Sequence, residues 1–211
     1  ILPYRFNDNP PQASRPMSQT AAGFVPGSGA GALVLESLES ALERKAFIYA
    51  EIKGGAINSG GQRSDGSMTA PNSDAVQRCI QSALTNTGTR PSEIDAINGH
   101  LTATTKDTLE VINWSKALGL KNDAFPQINS FKSYFGHCLA AAGSIECVAT
   151  VLQLKNQQLF ANLNCEDPHE NILGQIAEAC IPRESKQIPL HVIAKASFGF
   201  GDVNACIIFN R

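Results

Sequence analysis

The run Ile128–Glu146, INSFKSYFGHCLAAAGSIE, constrains this chain more than any other stretch. It carries Lys132, His137 and Glu146 through a loop and into a helix. Gly136 marks a turn just before His137, and Leu139 to Leu154 then runs through mostly small or apolar residues with Glu146 as its one acidic interruption. A helix with so few charges is a buried helix. Its first turn presents free N–H groups and the positive end of the helix dipole, and both favour negative charge nearby. The passage therefore predicts a histidine held where negative charge can develop.

Composition narrows the remaining classes. A chain of 211 residues that is 43% hydrophobic can bury a substantial core, as one large domain or two closely joined ones. The formal net charge is −2 and basic residues do not cluster, so nucleic acid is not an expected partner. No apolar run reaches the roughly 18 residues that a membrane helix needs. The opening Ile1-Leu2-Pro3-Tyr4 does not read as a signal segment or as a natural start, so the chain is expected to begin inside a longer protein. Six scattered cysteines without a C-x-x-C pair fit a reduced, cytoplasmic setting and behave as small hydrophobes. His100, His137, His169 and His191 lack metal-ligand spacing among themselves and with the cysteines, so no metal is expected.

Taken in order, residues 1–22 are rich in Pro, Asn, Gln and Ser and read as a connecting segment, with the folded unit spanning 23–211. Gly29 to Glu36 suits a buried strand, Ser37 to Lys45 a helix, and Phe47 to Ile57 a second strand. Gly54 to Ser67 is a Gly/Ser-rich connection without a phosphate-loop motif, which reads first as a surface loop. Asn72 can cap a helix with Ala75, Val76, Cys79, Ile80, Ala83 and Leu84 on one face, closed by Gly88. A strand from Ile94 to Asn98 delivers His100 at its C-terminal end, the edge where open α/β sheets gather ligands and catalytic groups. Helices over Thr105–Leu118 and up to about Lys155, and strands over Pro126–Asn129, Ile176–Ile181, Leu190–Ala196 and Val203–Phe209, complete the reading.

Four blocks in this order carry a resemblance to a known family. They are Arg15-Pro16 with Gly23-Phe24-Val25 and Gly29-Ala30-Gly31; Asn98-Gly99-His100-Leu101-Thr102-Ala103-Thr104; Lys132-Ser-x-x-Gly136-His137 with its small-residue helix; and Ser197-Phe198-Gly199-Phe200-Gly201. Together they resemble the β-ketoacyl-[acyl-carrier-protein] synthases, in the class that uses one cysteine and two histidines. The likeness covers the C-terminal half of such an enzyme. It implies half of a thiolase-like fold, a layered αβα arrangement around a mixed five-stranded sheet. It also implies decarboxylative condensation of malonyl carrier protein with an enzyme-bound acyl chain, in fatty-acid or polyketide synthesis.

The resemblance assigns roles residue by residue. His100 and His137 are implied to stabilise the enolate formed when malonyl thioester loses carbon dioxide. Lys132, with Glu146 in support, is implied to keep the imidazoles neutral, and the backbone N–H of Phe200 to serve an oxyanion hole while its ring gates the acyl pocket. Thr69, Thr102 and Thr104 are implied to bind the phosphopantetheine arm of acyl carrier protein, the substrate carrier. No permanently bound cofactor is implied. The expected partners are acyl carrier protein and the N-terminal half of the synthase, with the whole enzyme a homodimer.

Three positions depart from the family: Leu101 and Asp202 stand in place of glycines, and Asp107 lies one residue early. None of the six cysteines has the Ala-Cys-Ser setting of the nucleophile, Cys138 being the one rival because it follows His137 at a helix start. The nucleophile is thus expected upstream, and the isolated chain is expected not to condense acyl groups. A non-catalytic partner subunit, similar to chain-length factors, is the alternative reading.

Overall fold

The computed structural model describes residues 2–211. Its centre is a five-stranded mixed sheet in the order β1-β7-β6-β2-β3. The strands are β1 (Glu51–Ser59), β2 (Ala96–Asn98), β3 (Gln127–Asn129), β6 (Val192–Gly199) and β7 (Val203–Asn210), while β4 (Gln158–Leu159) and β5 (Lys186–Gln187) form a separate small ribbon. β2 pairs parallel with β3 and β6, whereas β7 runs antiparallel to both β6 and β1.

The core under α2 and α3 covers one face of this sheet and α5 covers part of the other, mainly over β6, while β1 at the edge keeps Ile57 79% exposed. Alternation along each strand sorts the side chains. Ile97, Ala194, Ala196, Phe198, Cys206 and Ile208 join one core, which also takes residues from α2 (Ser73–Thr87) and α3 (Asp107–Leu118). Ala96, Ile193 and Phe209 join the other, with Cys147 and Leu154 of α5 (Ala142–Asn156). Each fully buried Ile, Val or Leu contributes roughly 1.5–3 kcal/mol. Three short helices, α1 (Leu38–Glu43), α4 (Lys132–Phe135) and α6 (Glu170–Leu173), complete the set.

Local signals explain most boundaries. The Asn72 side chain accepts from Ala75 N at 2.9 Å to start α2, and Gly88, at φ +60°, closes it by donating back to Leu84 and Thr85. β1 starts at Glu51, later than the expected Phe47, and continues through Gly54 and Gly55, which the sequence had assigned partly to a loop. Gly55 is required there, because a Cβ would lie 2.3 Å from the Cys206 carbonyl oxygen of the neighbouring strand.

Two expected strands are absent. Gly29–Glu36 forms no ladder, and Val34 is 96% exposed. Its apolar composition suits a strand, but a strand exists only with a neighbour, and none of the described residues pairs with it. Ile176–Ile181 is likewise a 3-10 turn at Glu178–Cys180 plus a single bridge between Ile176 and Asn122, its side chains packed as core without a ladder. Residues 1–22, read as a connecting segment, include 3-10 turns at Tyr4–Phe6 and Pro10–Gln12. Arg15, Met17 and Ser18 beyond them are buried, with Arg15 paired to Glu166 and Asp167.

Candidate active site

The C-terminal ends of the two parallel strands β2 and β3 lead directly into the histidine-bearing and lysine-bearing loops. β2 ends at Asn98 and the chain reaches His100 two residues on, while β3 ends at Asn129 and passes through α4, which opens with Lys132, to His137. The two imidazole rings meet edge to face, with centroids 5.3 Å apart. They line one cavity of about 840 Å³ together with Phe24, Thr69, Thr102, Thr104, Ser197 and Phe200. All of the family-implied side chains that face a pocket therefore face the same one.

His137 is fixed from several sides. Gly136 (φ +72°) lets the backbone turn against Val25, whose carbonyl oxygen would be 2.6 Å from a Cβ at position 136. The His137 amide donates to Val25 O at 2.7 Å, and its Nδ1 accepts the Leu139 N–H at 3.2 Å. A ring nitrogen that accepts carries no proton, so the neutral imidazole holds its hydrogen on Nε2. Burial, then the cation of Lys132, lowers its pKa to about 4. His100 is lowered well below the usual histidine range, first by burial and then by Lys132 and Lys195, and its Nδ1 has no protein partner. Both rings are neutral near pH 7.

Behind the histidines lies a buried charge cluster. Lys132 and Glu146, 1% and 0% exposed, form an ion pair through Glu146 Oε1. Glu146 Oε2 takes a second ammonium, Lys195 of β6, at 2.6 Å. Lys195 also donates to Ser197 Oγ at 3.0 Å and to the Ala196 carbonyl. Burial pushes the Glu146 carboxyl up, but the two ammoniums outweigh it and hold it below its usual range. One carboxylate between two lysines leaves an excess of positive charge in the cluster.

A pair of acidic residues shapes the His100 loop. Glu110 accepts the amides of His100 and Leu101 at 2.7 and 2.8 Å, and Asp107 accepts those of Met17, Thr102, Ala103 and Thr104. Burial raises both carboxyls, Glu110 to about 7. This clamp holds Ala103 at φ +61° and brings the Thr102 and Thr104 hydroxyls to 3.1 Å from each other on the cavity wall. Sequence reasoning missed Lys195 and the role of Glu110. The available signal for Glu110 was an acidic residue in the first turn of a helix immediately after a strand-end loop.

Cys138 turns away from the site, with Sγ 3.9 Å from the Phe135 carbonyl oxygen and near Gly27. The other five cysteines are buried too, and burial raises the pKa of each. His169 caps α6 through its ring nitrogen, and His191 is exposed at the far end of β6. Among the described residues no group of three or more His, Cys, Asp or Glu has a metal-binding arrangement, and no helix is long and apolar enough to cross a membrane.

Residues 49–166 match the family described as beta-ketoacyl synthase, C-terminal domain. The chain is 39% identical over 206 residues to 3-oxoacyl-[acyl-carrier-protein] synthase I, chloroplastic, of Arabidopsis thaliana, a match covering 97% of this chain and 42% of that protein. Among solved structures, a type II polyketide ketosynthase in complex with its acyl carrier protein superposes with a TM-score of 0.88 at 32% identity, covering 99% of this chain and 50% of that one. The ishigamide ketosynthase/chain length factor gives a TM-score of 0.85 at 30% identity, covering 94% and 47%. The chain spans about half the length of the relatives it matches.

Proposed function

Because the chain belongs to the β-ketoacyl synthase family, we propose that it supplies the decarboxylation half of a condensing active site in a 3-oxoacyl-[acyl-carrier-protein] synthase. The observation that carries this reading is the pair of neutral imidazoles, 5.3 Å apart, on one cavity wall with a buried cationic cluster behind them.

When malonyl thioester loses carbon dioxide, the electrons of the breaking carbon–carbon bond pass to the α-carbon and the thioester oxygen. The Nε2–H of His137 and the His100 ring meet that oxygen as its charge grows, and donors of this kind stabilise the transition state more than the ground state. The cations of Lys132 and Lys195 favour the same charge and keep both rings from taking a proton. The enolate carbon then attacks the acyl thioester carbonyl, a new carbon–carbon bond forms and the enzyme thiol leaves. The Phe200 N–H would hold the second oxyanion. Thr69, Thr102 and Thr104 on the cavity wall would guide the phosphopantetheine arm of acyl carrier protein.

Each of the six cysteines is buried, and Cys138 faces away from the cavity, so the acyl-bearing thiol is proposed to come from a segment outside this chain, within a homodimeric enzyme. The test is ketoacyl product formation. A complete synthase containing this chain is expected to condense acyl and malonyl carrier proteins, and the chain by itself to give no product. Steady product from the chain alone contradicts the second expectation. The partner-subunit reading has some support from likeness to a ketosynthase/chain length factor assembly. Retention of both histidines in the cavity favours the catalytic reading over it.

A further inference from the structure

Asp202 sits in the turn that joins β6 to β7, two residues after Phe200, where the family has glycine. It is 0% exposed and holds φ +61°, a conformation that glycine adopts more easily. Its carboxylate accepts the Asn72 amide at 2.7 Å through Oδ1 and the Gln62 amide at 3.0 Å through Oδ2, and no ion pair to it exists among the described residues. Burying a carboxylate without a cation is costly. The Gly/Ser-rich loop between β1 and α2 is shaped around it, since a Cβ at Gly60 or Gly66 would lie 1.9 or 2.7 Å from Asp202 Oδ2.

Two backbone bonds complete the junction: Gly60 N donates to Asp202 O and Gly201 N donates to Met68 O, each at 2.9 Å. That loop carries Thr69 and Pro71 to the cavity wall, and the turn carries Phe200, 61% exposed, to the same wall. The two segments thus meet at the cavity and are fastened to each other through one side chain. We propose that Asp202 is a positioning residue that clamps the loop over residues 60–72 onto the Phe200 turn, so that the mouth of the cavity keeps one width and sorts acyl chains by their cross-section, straight from branched. This rests on the reading of the cavity as an acyl and pantetheine passage.

The experiment compares wild type with Asp202→Gly and Asp202→Asn, both in the complete synthase and in this chain. Glycine accepts the backbone conformation, so Asp202→Gly is expected to fold. In the chain, amide hydrogen exchange at Gln62 and Asn72 should speed up about tenfold or more. In the synthase, the ratio of kcat/KM values for a straight and a branched acyl primer should shrink at least about fivefold, while carbon dioxide release from malonyl carrier protein stays within about twofold. Asp202→Asn, which retains one acceptor oxygen, should fall between.

A merely structural role would lower every rate together and leave the primer ratio alone, and that result overturns the proposal. So does unchanged exchange at Gln62 and Asn72. A wild-type synthase that does not condense contradicts the functional reading instead, and the exchange measurement then decides the clamp by itself.

Discussion

Lys195 places its ammonium 2.6 Å from Oε2 of Glu146, on the carboxylate whose other oxygen is already taken by Lys132. Glu146 is the one carboxylate these two ammoniums share, so the members of the cluster are not equivalent. Lys195→Met leaves a one-to-one pair and is expected to change stability by less than about 1 kcal/mol. Glu146→Ala strands two buried ammoniums and should cost about 3–5 kcal/mol. Denaturant unfolding of both variants checks the contrast; equal losses would contradict it.

His137 makes folding sensitive to acid. Its folded pKa, about 4, lies below the unfolded value of 6.5, so between these limits the unfolded chain binds more protons and stability falls as pH drops. His137→Gln should therefore lose less stability than wild type between pH 6.5 and 4, as read by unfolding at several pH values. Nitrogen NMR should also show the Nε2–H tautomer, with no protonation of this ring above about pH 5.

Glu110 acts in the opposite direction. Its carboxyl is raised to about 7 from 4.5, so the folded state holds the extra proton and stability declines as pH rises through that window. Glu110→Gln removes this slope. It also sets an amide NH2 against one of the backbone N–H donors of His100 or Leu101, at a cost of about 1–3 kcal/mol. Unfolding curves at pH 5 and 8 measure both effects.

The thiols give a further check. Cys79 and Cys165 are pushed up by burial to about 11 and 12, and none of the six cysteines is exposed. A thiol reagent should label the native chain far more slowly than the unfolded chain. Rapid native labelling of a single cysteine would contradict this and mark that thiol as a candidate nucleophile.

What the sequence made legible was local. His137, Lys132 and Glu146 share one passage, and the cap at Asn72 and the stop at Gly88 follow from side-chain and backbone rules that act within a few residues. Lys195 was invisible because a lone lysine in an apolar strand reads as an outward-facing charge; its burial depends on α5 bringing Glu146 over that strand face. Gly29–Glu36 failed for a related reason, since apolar residues permit a strand but only a neighbouring backbone makes one. Asp202 could be seen to depart from glycine, yet its two amide partners lie 130 and 140 residues away in sequence.

If two neutral histidines stabilise the developing enolate, both are needed for decarboxylation. Carbon dioxide release from malonyl carrier protein reads this step, measured for the complete synthase and its His100→Ala and His137→Ala variants. Release is expected from the wild type, with a loss of about a hundredfold or more in each variant. Release that persists within a few fold in either variant would contradict it.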